Sequence, residues 1–196
     1  MKRICVFCGS NSGKSDSFRS AAVTLGKLMA RRGLGLVYGG ASVGLMGAIA
    51  DSVLAEGGEV VGVITKQLVK LEVAHANLSD LKVVGSMHAR KAMMAKLSDG
   101  FIALPGGFGT MDEFCEIVTW AQLGIHQKPC GLLNIDGYFD HFLKFVDHSV
   151  DQGLIRAEHR SLFYEANDPS ELLDLFSRHK PSGAALKWMG GRAPKP

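Results

Sequence analysis

The sequence predicts an α/β fold in which a doubly wound parallel sheet carries helices on both faces. Short apolar runs alternate with segments of helical periodicity along most of the chain, as in repeated strand–helix units. The 24 glycines fall largely in short clusters between those segments, where turns and ligand loops lie. Because 196 residues with 46% hydrophobic content can bury one core, we expect a single domain over residues 1–180 and a flexible tail over 181–196.

The first predicted unit is a strand over residues 3–8 followed by a helix over residues 16–32. The turn between them ends in Gly-Lys-Ser, but its spacing from Gly9 is one residue shorter than in a P-loop. That spacing argues against a nucleotide-triphosphatase loop. A polar loop at the carboxyl end of a strand can still contact a ligand, and Ser10 is the candidate residue there.

The second unit is a strand over residues 35–38, a glycine-rich turn that includes Gly40, and a helix over residues 44–56. A third strand follows over residues 58–64. These glycines do not fit the dinucleotide pattern G-x-G-x-x-G. Two interpretations stay open and carry equal weight: the glycines permit tight packing of helix against strand, or they form a second anion cradle.

Residues 65–80 predict either a short helix or a flap over a site, and a strand follows over residues 81–84. The next helix begins at Met87 and carries Arg90 and Lys91 in its first turns. Surface helices often expose a basic face. The position of these two cations just after a strand-to-helix turn nevertheless favours contact with an anion.

The central unit is an apolar strand over residues 99–104, the glycine turn PGGFG, and a helix that begins near Gly109 or Thr110. A glycine turn that opens a helix makes an anion site, because free backbone N–H groups and the positive end of the helix dipole face outward. Glu113 lies one turn inside this helix. We therefore expect a nucleotide-monophosphate site with a carboxylate directed at the sugar.

The last part of the domain predicts a strand over residues 129–134, an amphipathic helix over residues 138–153 and a short strand over residues 162–164. Asp168 then caps a final helix that has Pro169 at its first position. Ligands of doubly wound sheets bind where strands end and helices begin, which is where the glycine clusters fall.

Composition and charge narrow the class of partner. The net charge of +3 includes no Lys/Arg run, which argues against nucleic-acid binding. No apolar stretch is long enough to span a membrane, and the N-terminus enters a strand at once, so we expect a cytoplasmic protein. Cys5 and Cys8 form a C-x-x-C pair on a strand, where residues three apart point to opposite faces. They are expected to be buried structural thiols and not a redox pair.

Glu113 has an alternative explanation, because Thr110-x-x-Glu113 is also the spacing of a capping box. From the spacing alone the two interpretations are equally supported. The turn is richer in glycine than a cap requires, and Glu116 places a second carboxylate on the same helix edge. Such crowding of acids near an anion site is typical of a functional position.

The run PGGFGTxxE over residues 105–113 resembles the PGGxGTxxE signature of the LOG (Lonely Guy) family of phosphoribohydrolases. Further blocks resemble the family's in the same order: YGG at 38–40, GLMG at 44–47, MHxRK at 87–91 and TWAQLG at 119–124. The resemblance implies a modified Rossmann fold and a homodimer with active sites near the subunit interface. It also implies hydrolysis of the N-glycosidic bond of a nucleoside 5′-monophosphate, with cytokinin riboside monophosphates preferred and AMP often accepted.

Carried over by position, the resemblance makes Arg90 and Glu113 catalytic, with their separate roles left open. Gly106, Gly107, Gly109 and Thr110 would hold the phosphate. Lys91, Met87, Gly40 and Ser10 complete the candidate substrate-binding residues.

Two rival functions remain at this point. A nucleotide or molybdenum-cofactor carrier of the same architecture would use the same cradle without a working carboxylate. A lysine decarboxylase would need a pyridoxal phosphate Schiff-base lysine, and no lysine has a recognisable setting for one. We expect no cofactor. We also expect no metal, because the seven histidines show no ligand spacing with Cys or carboxylates.

Overall fold

The structure is a computed structural model that describes residues 1–71 and 74–181. Residues 182–196, which make up most of the predicted tail, lie outside the described residues, as do residues 72–73 in the predicted flap. The described residues form a seven-stranded sheet with helices on both faces.

The strands are β1 Arg3–Phe7, β2 Gly35–Tyr38, β3 Val60–Thr65, β4 Asp80–Val84, β5 Gly100–Ala103, β6 Cys130–Leu133 and β7 Tyr164–Ala166. The helices are α1 Asp16–Arg31, α2 Gly44–Ala55, α3 Lys66–Leu71, α4 Met87–Leu97, α5 Phe108–Gln122, α6 Asp140–Asp151 and α7 Pro169–Ser177. Two 3₁₀ turns, Ile135–Gly137 and Ala157–Leu162, precede α6 and β7. None of the helices in the described part of the chain is both long and apolar enough to cross a membrane.

All strand pairs in the sheet are parallel, in the order β4-β3-β2-β1-β5-β6-β7. The predicted doubly wound α/β fold is therefore confirmed. From β1 the chain adds β2, β3 and β4 in turn toward one edge of the sheet. It then returns to the other side of β1, where β5, β6 and β7 extend the sheet toward the opposite edge. The loops that follow β1 and β5 consequently face each other across a crevice, which is where sheets of this kind bind ligands.

The two faces of the sheet bury separate cores. Ile4 and Val6 pack in the core under α1, α2 and α7, whereas Phe7 packs in the core under α4, α5 and α6. Cys5 belongs to the second core and Cys8 to the first, as the two-residue period of a strand requires. The prediction that these two thiols do not face one another is confirmed.

Four element predictions need comment. The residue 65–80 region contains the short helix α3, which was one of its two predicted forms. The Asp168 cap is confirmed, because its Oδ1 accepts hydrogen bonds from the N–H groups of Ser170 and Glu171.

The strand predicted over residues 162–164 is largely wrong, since the first of these residues ends a 3₁₀ turn and β7 begins at the last. The helix predicted from residue 138 begins at residue 140.

Packing against α5, and not strand pairing, explains most of the apolar character of residues 162–164. Phe163 is buried in the α5-side core, and its ring meets that of Phe114 edge-on with centroids 5.6 Å apart. An apolar run predicts burial, but it does not distinguish a strand from a buried turn.

Candidate active site

The loops that follow β1 and β5 are joined directly through their backbones at the crevice. The Gly9 N–H donates to the Pro105 carbonyl at 3.1 Å, and the Gly9 carbonyl accepts from the Leu45 N–H at 3.1 Å. The three glycine-rich junctions predicted from the sequence therefore meet at one place. Ser10, Gly106 and Gly107 line the same cleft there.

The glycines of the β5–α5 loop divide into two kinds. A Cβ at Gly106 would lie 2.1 Å from Thr110 Oγ1 and 2.8 Å from the Gly9 amide nitrogen, so packing requires a glycine there. A Cβ at Gly107 or Gly109 would meet no atom within 4 Å. Since the fold does not need glycine at these two positions, their backbone is left open to a ligand.

Thr110 and Gly40 are placed differently from the open glycines. Thr110 is 3% exposed and lies beneath the Gly106 backbone. Gly40 has a φ of +83°, and its Cβ would touch Ile64 and Leu81 at 3.3 Å, so conformation and packing account for the glycine. A direct ligand contact by Gly40 stays a prediction.

Arg90 and Glu113 form a buried ion pair between α4 and α5. Arg90 Nη1 donates to Glu113 Oε1 at 2.9 Å, and the two side chains are only 9% and 11% exposed. The same guanidinium donates through Nε to the Val63 carbonyl at 2.9 Å and through Nη2 to the Gly39 carbonyl at 3.3 Å. Arg90 is thus fixed to β3 and to the loop after β2, and it holds the Glu113 carboxylate in a single place.

Gly39 makes room for this arrangement and was not predicted as a site residue. A Cβ at Gly39 would lie 2.4 Å from Arg90 Nη2 and 2.9 Å from Met46 Sδ. Gly39 lies in the YGG block, but only the position of Arg90 in space shows why a side chain is excluded.

Burial of Glu113 raises the pKa of its carboxyl to about 7, and the neighbouring Arg90 guanidinium opposes the rise. Asp112 raises that pKa further, and Lys91 lowers it. A carboxylate with a pKa near neutrality can take up and release a proton under working conditions, which is what general acid–base catalysis needs.

The capping-box alternative for Glu113 is wrong. Gly107 is the N-cap of α5, Phe108 is its first residue, and no side chain caps this helix end. The Glu113 carboxylate accepts its hydrogen bond from Arg90. The helix start was predicted one to two residues late because two glycines near it obscured the boundary.

Lys91 and Met87 lie on α4 beside Arg90 but in different surroundings. Lys91 Nζ lies 3.0 Å from Asp112 Oδ2 and 3.2 Å from Glu116 Oε2. Met87 is the first residue of α4 and is 44% exposed. Neither placement includes a ligand contact, so the predicted roles of both in substrate binding stay predictions.

Tyr138 is a cleft residue that sequence reasoning assigned only to the face of a helix. Its hydroxyl donates to the Gly106 carbonyl at 2.6 Å, and its ring meets Phe18 edge-on with centroids 5.5 Å apart. Both aromatic side chains line the cleft together with Ser10. No spacing rule links residue 138 to residue 106, because the contact depends on the adjacency of β5 and β6.

The described residues contain no group of three or more His, Cys, Asp or Glu side chains that could hold a metal ion.

Comparison with known proteins identifies close relatives. A family profile described as "possible lysine decarboxylase" matches residues 46–176. The probable cytokinin riboside 5′-monophosphate phosphoribohydrolase LOGL9 of Oryza sativa subsp. japonica is 52% identical over 180 residues, covering 92% of this chain and 79% of that protein. The cytokinin riboside 5′-monophosphate phosphoribohydrolase LOG7 of Arabidopsis thaliana is 49% identical over 180 residues, covering 92% of this chain and 83% of that protein.

Solved structures also resemble this one. The molybdenum cofactor binding protein from Rippkaea orientalis has a TM-score of 0.67 and 22% identity, with 90% of this chain and 96% of that chain covered. The Moco carrier protein from Chlamydomonas reinhardtii has a TM-score of 0.68 and 22% identity, with 90% and 95% covered. At this level of identity the likeness shows a shared fold and nothing about a shared ligand.

Proposed function

Because the chain belongs to the LOG family, in which relatives 52% and 49% identical to it are named cytokinin riboside 5′-monophosphate phosphoribohydrolases, we propose that it hydrolyses the N-glycosidic bond of a nucleoside 5′-monophosphate. The products are the free base and ribose 5-phosphate. The substrates are cytokinin riboside 5′-monophosphates, and AMP is accepted as well.

The single observation that carries this proposal is the buried Arg90–Glu113 pair beside the open backbone of Gly107 and Gly109. The N-terminus of α5 suits a phosphate monoester, because its free N–H groups and dipole favour negative charge. Glu113 lies about one turn inside the same helix, near enough to act on the ribose of a substrate that is held there by its 5′-phosphate. This arrangement supports Gly106, Gly107, Gly109 and Thr110 as the phosphate cradle.

In the proposed mechanism, the C1′–N bond to the base breaks while water adds to C1′. Positive charge develops on the ribose, and the ionised Glu113 carboxylate stabilises it as the carboxylates of glycoside hydrolases do. Glu113 also takes the proton from the attacking water. The leaving base gains negative charge and then a proton, so the hydrolysis is balanced without any co-reactant other than water.

Arg90 has two parts in this reaction. Its hydrogen bond to Glu113 fixes the carboxylate in position, and its charge can stabilise the negative charge of the departing base or of the phosphate. Because two backbone carbonyls hold the guanidinium, it supplies charge without reorganising during the reaction.

The outward side of α4 supports the homodimer that we propose for this protein. Met87, Ala89 and Ala92 are exposed on a helix that also carries Arg90, and the polar side chains of His88 and Lys96 are exposed beside Ala92. A second copy on this side of α4 would lie close to the active site.

The experiment that tests the proposed function is incubation of the purified protein with AMP, GMP, CMP and a prenylated AMP, followed by chromatography for free base and ribose 5-phosphate. We expect equal amounts of both products, with faster release from the prenylated substrate than from AMP. A carrier protein would bind the nucleotides and release neither product, which would contradict the proposal.

A further inference from the structure

A second set of ion pairs lies next to the catalytic pair and joins the same two helices. Lys91 follows Arg90 on α4, and Asp112 precedes Glu113 on α5. Lys91 Nζ contacts Asp112 at 3.0 Å and Glu116 at 3.2 Å, while Arg90 contacts Glu113 at 2.9 Å. Adjacent residues on one helix are thus paired with adjacent residues on the other.

The surroundings of Lys91 do not suit a phosphate ligand. Its side chain is only 12% exposed, and its ammonium lies between two carboxylates. A phosphate dianion would have to displace these partners or approach both negative charges, and each option opposes binding. The sequence predicts Lys91 as a phosphate-binding residue, but its contacts favour a different role.

We propose that Lys91 is a positioning residue whose pairing with Asp112 and Glu116 holds α5 against α4 and keeps the Glu113 carboxylate aligned with Arg90. This inference rests on the proposed function of the site. Arg90 is already tied to backbone carbonyls of β3 and the β2–α2 loop, so it needs no further support. Glu113 has no such tie to the sheet among the contacts described, and its position depends on how α5 sits against α4.

The same ammonium shapes the electrostatic surroundings of Glu113. The charged groups that act on this carboxyl are Arg90 and Lys91 from α4 and Asp112 from its own helix. The Glu113 charge also acts on the thiols of Cys5 in β1 and of Cys8 just after β1, and burial raises the pKa of both, so they stay neutral. Removing Lys91 leaves Asp112 unopposed and favours protonated Glu113, whereas removing the Asp112 charge favours the ionised form.

The test compares Lys91→Met, Lys91→Arg and Asp112→Asn with the parent protein. Three quantities are measured for each: kcat and KM with AMP, the dissociation constant of ribose 5-phosphate, and the titration of the Glu113 carboxyl by carbon NMR. Thermal unfolding confirms that each variant is folded.

We expect Lys91→Met to lower kcat by roughly tenfold while the affinity for ribose 5-phosphate changes less than about twofold, because positioning acts on the reacting geometry and not on the phosphate. The Glu113 titration moves upward in Lys91→Met and downward in Asp112→Asn, by about half a pH unit each. Lys91→Arg restores most of the lost kcat, since it keeps the charge and can bridge the same carboxylates.

A loss of ribose 5-phosphate affinity of about tenfold or more in Lys91→Met, with kcat unchanged, would assign Lys91 to the phosphate and overturn the proposal. The proposal would also be overturned if the Glu113 titration moved in the same direction in Lys91→Met and in Asp112→Asn. If the parent protein releases no base from any nucleotide, the proposed function fails on its own. In that case the titrations and the ribose 5-phosphate affinity still decide the role of Lys91. If Lys91→Met does not fold, the same two measurements on Lys91→Arg and Asp112→Asn decide it.

Discussion

The Glu113 side chain is 11% exposed, and the Arg90 guanidinium meets its carboxylate inside the protein. Replacing it by glutamine keeps the shape and an oxygen that can accept the Arg90 hydrogen bond, but it removes the charge and the base. We expect Glu113→Gln to retain nucleotide binding and to lower kcat by at least ~10²-fold. Steady-state kinetics with AMP and equilibrium binding of ribose 5-phosphate measure the two effects, and turnover near the parental rate would refute the assignment.

The raised pKa of Glu113 predicts how activity depends on pH. Only the ionised carboxylate can stabilise the ribose cation or accept a proton, and half of it is ionised near pH 7. We expect kcat/KM to fall as pH drops below about 7, with a slope of one in the logarithmic plot. Rates measured between pH 5 and 9 check this, and a profile that stays flat below pH 7 would exclude Glu113 as the titrating group.

The same pKa predicts how stability depends on pH. The folded protein holds a proton on Glu113 up to a pH of about 7, whereas the unfolded chain releases it near the ordinary glutamate pKa of 4.5. Its contribution to the free energy of unfolding is therefore fully present below pH 4.5. It is lost between that pH and about 7, by about 3 kcal/mol in all. Urea titrations at several pH values should show this loss of stability in the parent protein. The same titrations of Glu113→Gln should not show it.

Gly106 and Gly107 make a matched pair for testing the phosphate cradle. Gly106→Ala would force a Cβ against Thr110 and Gly9, and we expect it to destabilise the fold by about 1–3 kcal/mol. Gly107→Ala meets open space at a φ of −91°, so the fold should tolerate it while affinity for ribose 5-phosphate falls. Thermal unfolding and equilibrium binding separate the two effects. Unchanged affinity in folded Gly107→Ala would exclude Gly107 from the cradle.

At the scale of single residues, the sequence could single out Arg90 and Glu113 as candidates because each lies in a motif of fixed spacing, and the structure pairs them. It could not show that Lys91 is enclosed by Asp112 and Glu116, because this contact depends on how the faces of two helices meet. Gly39 and Tyr138 were missed for the same reason. Their roles come from side chains that approach from distant parts of the chain.

At the scale of elements, α7 begins with the capping residues that the sequence predicts for it. The Asp168 carboxylate accepts from two backbone N–H groups, and Pro169 follows at the first helical position. We expect Asp168→Ala to lower the free energy of unfolding by about 1 kcal/mol, because those donors lose their partner. Urea unfolding measures this, with Asp168→Asn, which can still cap the helix, as the control. Equal losses in the two variants would contradict a capping role.

Elements were predicted well where periodicity and end signals agreed, as at β2 and α7. The error at residues 162–164 came from an apolar run that packs against α5 in a turn. The ends of α5 and α6 were displaced by one or two residues, because glycines and a 3₁₀ turn blur the first turn of each helix. Local propensity fixes the centre of an element better than its boundaries.

At the scale of the whole molecule, the alternation of strands and helices predicted the class of fold, but the strand order lies beyond what periodicity can give. The position of β1 beside β5 brings the loop after Phe7 against the loop after Ala103. This single adjacency gathers the glycine clusters into one crevice. The sequence predicts that a ligand binds where these clusters fall, and the order of the strands explains why the clusters lie next to one another.

The proposed homodimer predicts a particle with twice the 21.0 kDa mass of the chain. Ala92→Glu places a charge on the outward side of α4, and burying an unpaired charge in an interface is strongly unfavourable. We expect this variant to be monomeric by light scattering, and Thr24→Glu on the exposed side of α1 to stay dimeric. A monomeric parent, or a dimeric Ala92→Glu variant, would contradict this interface.

The cysteines have a practical consequence. Cys5, Cys8 and Cys130 are buried, and Cys115, on the same helix as Glu113, is the one exposed thiol of the four. A maleimide fluorophore should therefore label the native protein at Cys115 alone, and the other three cysteines need not be replaced. Its emission would report on changes in the surroundings of α5 when a nucleotide is added or the state of assembly changes.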